Sequence, residues 1–264
     1  MASSQETGTR RRLAAAGNAS TLRRATRVLT RSAVREAALL VSVALAAAAI
    51  VLFAQLADEV VEGETRGFDR TVLLALRNPS DPTDPLGPLW LHEVARDFTS
   101  LGSFSLLTFL TLAVVGFLIL QGKRHAALLV VVAIGGGTLL STLLKMGFDR
   151  PRPDLVPHEA VVYSASFPSG HAMMSAITYL TLGALLARVQ PRRRLKLYLL
   201  GLAILLTVLV GISRVYLGVH WPTDVLAGWA VGAAWALLCW SAALWLQRRG
   251  QVESDAEPPA PEEP

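Results

Sequence analysis

The sequence predicts an all-α integral membrane protein: a bundle of six transmembrane helices with short outer interfacial helices. Hydrophobic residues make up 52% of the 264-residue chain and charged residues only 17%. A soluble protein usually carries about 25% charged residues. A helix needs about 20 mostly apolar residues to cross a bilayer. Six segments meet that requirement, namely 37–56, 103–121, 126–146, 169–187, 197–216 and 223–246.

The two tails that flank these spans are predicted to be disordered. Residues 1–35 contain eight arginines and no aromatic residue. That composition favours contact with anionic lipid headgroups over nucleic acid, whose binding needs a folded basic face with interleaved aromatics. Residues 249–264 are acidic and rich in proline, which is typical of disorder. We therefore expect one membrane domain, residues 36–248, and no nucleic-acid partner.

The segment between the first two spans, residues 58–102, is predicted to lie on the outer surface. Three of its apolar residues recur at helical spacing, namely Phe68, Val72 and Leu76. Charged residues, among them Asp69 and Arg77, stand between them, which indicates a short amphipathic helix at the interface. Residues 78–88 contain four prolines and are predicted to form a loop. Residues 90–98 are predicted to form a second interfacial helix.

The placement of basic residues predicts that both termini are cytoplasmic, because cytoplasmic loops of membrane proteins carry an excess of Lys and Arg. With that orientation, 17 of the 25 basic residues fall on the cytoplasmic side. The other eight fall outside, namely Arg66, Arg70, Arg77, Arg96, Lys145, Arg150, Arg152 and Arg214.

Three short polar motifs stand at the ends of the apolar spans. They are Lys145 with Arg152-Pro153, then Pro168-Ser169-Gly170-His171, and then Ser213-Arg214 with His220 and Asp224. Because successive spans alternate in direction, counting the spans places all three motifs at the outer face. The sequence therefore predicts one polar site on the extracytoplasmic side.

All three motifs contain groups that suit a phosphate. Ser169 is a natural N-cap, and the free N–H groups of the helix turn after it form a favourable phosphate site. Lys145, Arg152 and Arg214 can neutralise phosphoryl oxygens, and arginine binds them in a bidentate manner. His171 lies in the first turn, where it can donate a proton to a leaving oxygen. A charge such as Arg214 in an apolar run is costly and usually functional.

The third motif supplies a candidate nucleophile. Gly218 can end the fifth span and Pro222 fits the first turn of the sixth, so His220 lies in the tight connection between them. Asp224 follows four residues later and can reach one imidazole nitrogen. That bond would fix the tautomer and leave the other nitrogen free to attack phosphorus.

Together, the three motifs resemble the signature of the type 2 phosphatidic acid phosphatase superfamily, and every signature position is present. The resemblance implies that His220 forms a phosphohistidine, that Asp224 orients it and that His171 protonates the leaving group. It also implies five groups that hold the phosphoryl oxygens, namely Lys145, Arg152, Ser169, the Gly170 N–H and Arg214. It implies no metal or other cofactor. No carboxylate cluster accompanies the motifs, and the single cysteine, Cys239, offers no metal site.

The resemblance implies a lipid phosphate phosphatase of the cell membrane, acting on a polyprenyl diphosphate, phosphatidic acid or phosphatidylglycerophosphate. The outer site favours recycling of a polyprenyl diphosphate carrier, and the Ala-, Leu- and Arg-rich composition indicates a bacterial source. The six spans argue against the soluble vanadium haloperoxidases of the same superfamily. A lipid phosphotransferase with the same intermediate is an open alternative. A transporter is disfavoured, because transporters bind near the bilayer midplane and these motifs stand at helix ends.

Overall fold

The computed structural model describes residues 36–154 and 165–248. Both predicted disordered tails, 1–35 and 249–264, lie outside the described residues. The chain divides into two compact units, Met1–Ser42 and Val43–Pro264. Only the start of the first helix is described in the first unit, and all contacts given below lie within the second.

The described ranges fold into eight helices and one two-stranded sheet. The helices are α1 (Glu36–Glu62), α2 (Arg66–Leu74), α3 (Leu89–Leu101), α4 (Phe104–Leu120), α5 (Arg124–Gly147), α6 (Gly170–Val189), α7 (Arg193–Tyr216) and α8 (Pro222–Arg248). The strands are β1 (Arg77–Asn78) and β2 (Asp81–Pro85).

Five of these helices, α1, α5, α6, α7 and α8, are long and apolar enough to cross a membrane unaided. The remaining predicted span, 103–121, corresponds to α4. This helix has 17 residues and so lies at the short end of the usual range. It is joined to α3 through a bend of 46°. The bend lies at Ser103, whose backbone is extended and whose hydroxyl accepts the Leu106 N–H. The prediction of an all-α membrane protein is confirmed.

The segment 58–102 contains the predicted short helix as α2, and a charged residue of that helix is buried. Asp69 is 1% exposed because it forms an ion pair with Arg150, whereas Phe68 is 54% exposed. The location of α2 at a membrane interface stays a prediction. The predicted loop 78–88 is only partly irregular, since β1 and β2 pair antiparallel within it. Prolines are tolerated there because a two-stranded sheet leaves one edge of each strand unpaired.

The outer segment is bonded to the bundle as well as lying over it. Arg77 is 2% exposed and its Nη2 donates to the Tyr216 carbonyl at 2.8 Å. The Tyr216 hydroxyl in turn donates to the Leu86 carbonyl at 2.9 Å. The predicted second helix is present as α3, and the Tyr179 hydroxyl of α6 donates to the Leu101 carbonyl at its end. These bonds fix the segment 58–102 against the middle of α6 and the end of α7.

Close backbone contact between α6 and α8 sets the position of the polar motifs. A Cβ on Gly228 would lie 2.7 Å from the Ser169 carbonyl oxygen, and one on Gly232 would lie 2.6 Å from that of Met173. Glycine is therefore required at both positions, as is common where membrane helices approach closely. As a result, the first turn of α6 lies directly against the first turns of α8.

Candidate active site

The predicted site residues meet at one end of the bundle. Lys145 is in the last turn of α5 and Arg214 in the last turn of α7. Ser169 is the N-cap of α6 and Asp224 lies in the first turn of α8. His171 lies in the first turn of α6, within electrostatic range of four other site residues, namely Lys145, Arg152, Arg214 and His220.

His220 lies in the connection between α7 and α8 and is 1% exposed. Gly218 makes this turn possible, because its φ of 72° lies in the left-handed region that favours glycine. His220 Nδ1 lies 3.2 Å from Asp224 Oδ2. The same oxygen accepts the Trp221 N–H at 2.9 Å and the Ser166 hydroxyl. Oδ2 of Asp224 is thus in hydrogen-bond contact with three groups.

The other nitrogen of His220 identifies its tautomer. Nε2 lies 3.2 Å from Nη1 of Arg152, and a guanidinium can only donate hydrogen bonds. Nε2 therefore carries a lone pair, and Nδ1 carries the proton that it donates to Asp224. Burial lowers the pKa of His220 to about 4, against the opposing effect of its hydrogen bond to Asp224. His220 is accordingly neutral at neutral pH, with a lone pair directed at the cations.

Ser169 has the N-cap position that the sequence predicts, but its hydroxyl does not cap the helix. Its side chain is 0% exposed, and its Oγ has no hydrogen-bond partner within the described residues. Its backbone N–H donates to the Asp224 carbonyl at 2.9 Å. An unsatisfied buried hydroxyl costs about 1–3 kcal/mol, so this group is ready to donate to a bound anion.

Lys145, Arg152 and Arg214 bring three cations to this end of the bundle. A Cβ on Gly170 would lie 3.6 Å from the Lys145 ammonium nitrogen, so the helix start and this cation are in contact distance. Arg152 Nη1 donates to the Val219 carbonyl at 2.9 Å. Arg214 Nη1 donates to Thr99 Oγ1 at 3.2 Å. The arrangement can hold a phosphoryl group and present an imidazole lone pair to it.

Sequence reasoning missed a second set of polar residues behind His220 and Asp224. They are Thr65, Asp69, Arg150, Ser166 and Thr223, and Arg150 donates to three of the other four and to Asp224. Thr99 of α3, the partner of Arg214, was missed as well. Arg150 lies two residues before Arg152 and was counted only as an outer charge. The position of Arg150 inside the first motif was the available signal.

No group of three or more His, Cys, Asp or Glu side chains suited to hold a metal ion occurs within residues 36–154 and 165–248. The expectation that no metal or cofactor takes part therefore stays a prediction.

Comparison with known proteins agrees with the motif resemblance. The profile of the PAP2 superfamily matches residues 126–248. Phosphatidylglycerophosphatase B of Bacillus subtilis is 39% identical over 148 residues, which cover 54% of this chain and 70% of that protein. Undecaprenyl-diphosphatase of Sulfolobus acidocaldarius is 47% identical over 68 residues, covering 26% of this chain and 29% of that protein.

A solved structure shares the fold. The crystal structure of a transmembrane PAP2-type phosphatidylglycerolphosphate phosphatase from Bacillus subtilis matches with a TM-score of 0.65 and 31% sequence identity. The match covers 77% of this chain and 98% of that one. The sequence identity, the extent of this match and the helical membrane architecture agree with one another. The chain therefore belongs to the PAP2 superfamily and is one of its membrane-spanning phosphatases.

Proposed function

We propose that this protein is a lipid phosphate phosphatase that works at the extracytoplasmic face through a phosphohistidine on His220. The observation that carries the proposal is the environment of the neutral His220. Its Nδ1 is held by Asp224, and its Nε2 faces Arg152. A nucleophile needs this combination of a fixed orientation and an available lone pair.

The first chemical step transfers the phosphoryl group to the enzyme. His220 Nε2 attacks phosphorus, the bond from phosphorus to the lipid oxygen breaks, and His171, which enters this step protonated, gives its proton to that leaving oxygen. Lys145, Arg152 and Arg214 offset the negative charge, together with the Ser169 hydroxyl and the Gly170 N–H at the start of α6. Preorganised donors of this kind stabilise charge in the transition state without having to reorient.

The second step releases phosphate. Water attacks the phosphorus of the phosphohistidine, His171 accepts a proton from that water, and the bond from phosphorus to His220 Nε2 breaks. The Nδ1 proton remains with the hydrogen bond to Asp224 throughout. His220 thus returns to its starting tautomer, and no metal ion is required by either step.

The location of the site supports a lipid substrate. It lies at the ends of α5, α6, α7 and α8, which are long and apolar enough to cross a membrane. A site at that position would meet a lipid headgroup at the membrane surface. The names of the relatives describe phosphatidylglycerophosphate and undecaprenyl diphosphate, and the longer match to the former favours a phosphatidylglycerophosphate-type substrate.

The orientation in the membrane is proposed from the basic residues. The site lies at the end of α5 that carries Lys145, whereas Lys123 and Arg124 lie at the other end. The basic stretch 188–196 lies between the far ends of α6 and α7. The positive-inside rule then supports a bacterial cell-membrane protein with cytoplasmic termini and an extracytoplasmic site.

The test is release of inorganic phosphate by the purified protein in detergent and EDTA. The panel holds phosphatidylglycerophosphate, phosphatidic acid and undecaprenyl diphosphate. His220→Ala should abolish release, while His125→Ala, a matched change at the opposite end of α5, should not. Release retained by His220→Ala would refute the mechanism, and no release from any of the three lipids would refute the function. A phosphorylated lipid acceptor in place of free phosphate would instead identify a phosphotransferase.

A further inference from the structure

A buried ion-pair cluster of Asp69, Arg150 and Asp224 lies behind the catalytic histidine. Arg150 Nη1 lies 2.6 Å from Asp224 Oδ1, and Arg150 Nη2 pairs with Asp69 Oδ2. The side chains are 11% exposed for Arg150, 1% for Asp69 and 0% for Asp224. The cluster joins α2 of the outer segment to the first turn of α8 through one guanidinium.

The hydrogen bonds divide the two oxygens of Asp224 between two tasks. Oδ1 accepts from Arg150, whereas Oδ2 accepts from Ser166, Trp221 and His220. Because Arg150 engages Oδ1, the carboxylate cannot rotate without breaking a charge-assisted bond. The plane of the carboxylate, and with it the direction of His220, is therefore set from the side away from the substrate.

Asp69 fixes Arg150 in turn. Its Oδ1 accepts the Thr223 N–H at 2.9 Å and its Oδ2 accepts the Thr223 hydroxyl at 2.7 Å. Arg150 also donates to Thr65 Oγ1 at 3.1 Å and to Thr223 Oγ1 at 2.8 Å. Both terminal nitrogens of Arg150 are thus used within the protein, so it is not arranged to bind a phosphate.

The two arginines of the first motif contact opposite ends of the His220–Asp224 pair. Arg150 bonds to the carboxylate of Asp224, whereas Arg152 lies beside Nε2 of His220. Pro151 stands between them, and its carbonyl accepts the Trp221 indole N–H at 3.0 Å. The same short segment therefore supports the pair from behind and contributes to the phosphate pocket in front.

We propose that Arg150 and Asp69 are positioning residues for catalysis, which hold Asp224 in the orientation that directs His220 at phosphorus. The outer segment 58–102 is then part of the catalytic framework through Asp69, in addition to any role as a cover. The proposal rests on the proposed function of His220 as the nucleophile. It assigns Arg150 and Arg152 to different tasks even though they are two residues apart.

The matched pair Arg150→Lys and Arg152→Lys tests this assignment, because both keep the positive charge and lose the fork of donors. Phosphate release is measured from one lipid phosphate, with vanadate inhibition as a probe of the phosphate pocket. Arg150→Lys should lower kcat by about 10- to 100-fold, by analogy with the loss found when a residue that orients a metal ligand is replaced. Its KM and vanadate inhibition should stay within about twofold. Arg152→Lys should raise both the KM and the inhibition constant of vanadate.

A double-mutant cycle distinguishes positioning from general stability. If Arg150 acts through Asp224, then Arg150→Lys should cause little further loss of kcat in an Asp224→Asn background, because coupled residues are not additive. Losses that multiply would overturn the proposal. An unchanged kcat in Arg150→Lys, or a rise in KM equal to that of Arg152→Lys, would overturn it as well.

Asp69→Asn provides a second, near-isosteric variant if Arg150→Lys fails to fold. It should lower kcat without raising KM, and its kcat loss should again disappear in the Asp224→Asn background. Equal multiplicative loss there would reject the positioning role. His220→Ala is assayed alongside: activity retained in His220→Ala rejects the proposed function, whereas loss in His220→Ala with an unaffected Arg150→Lys rejects only the positioning role.

Discussion

Ser169→Ala should make the protein more stable and less active. The Ser169 hydroxyl is fully buried and has no hydrogen-bond partner in the part of the chain that the structure describes. Removing it eliminates an unsatisfied group whose burial costs about 1–3 kcal/mol. No helix cap is lost, because this hydroxyl does not cap α6. We therefore expect the free energy of unfolding to rise by about 1 kcal/mol.

The loss of activity follows from the bond that the hydroxyl would make to a phosphoryl oxygen. A hydrogen bond to a charged group contributes about 1.5–3 kcal/mol, and about 1.4 kcal/mol corresponds to a factor of ten. The value of kcat/KM for a lipid phosphate should thus fall by about 10- to 100-fold. Opposite signs for stability and activity are the signature of a group held ready for a ligand.

Ser166→Ala is the matched control, since Ser166 is also 0% exposed but donates to Asp224. That variant should lose stability, because it removes a satisfied bond to a buried carboxylate. Thermal unfolding followed by tryptophan fluorescence in detergent gives both melting temperatures, and phosphate release gives both rates. If Ser169→Ala lowers the melting temperature as much as Ser166→Ala does, the interpretation of the unpartnered hydroxyl is wrong.

Two further predictions concern pH and sidedness. Because the pKa of His220 is lowered to about 4, protonation removes its lone pair only in acid. After correction for the second ionisation of the substrate phosphate near pH 6, the acid-side loss of kcat/KM, measured from pH 3.5 to 8, should be centred near pH 4. A fall centred near pH 6.5 would indicate an ordinary histidine. In a Cys239→Ser background, Asp81→Cys on the exposed hairpin should react with a membrane-impermeant maleimide in intact cells. Lys123→Cys should react only after permeabilisation, and the reverse pattern would invert the proposed orientation.

Sequence reasoning correctly related residues that are close in sequence and residues that stand at the ends of predicted spans. His220 and Asp224 are four residues apart across a helix start, so the turn at Gly218 and the first turn of α8 bring them together. Lys145 and Arg214 were placed at the same end because the direction of successive spans alternates. These arguments need only helix length and periodicity, and both are strong in apolar spans.

The support behind the site was beyond such arguments. Arg150 and Asp69 are 81 positions apart, and no periodic pattern relates a charge on a short outer helix to one in a loop between spans. Asp69 was placed on a solvent face because a charge between apolar residues usually lies there. Its actual burial depends on a partner that tertiary structure supplies. The hairpin was missed for a similar reason, because its prolines resemble those of an irregular loop.

The backbone bond from the Ser169 N–H to the Asp224 carbonyl joins the first turn of α6, the proposed anion site, to the His220–Asp224 pair. Because Gly228 lies against the Ser169 carbonyl, the start of α6 and the start of α8 cannot shift independently. In the proposed reaction, the phosphoryl group that moves from lipid oxygen to imidazole would meet donors that are already in place, so little reorganisation energy is added to the barrier. The geometry of such a fixed reaction centre should not depend on the lipid tail. Different lipids should therefore share a similar chemical rate and differ chiefly in how readily their headgroups reach it.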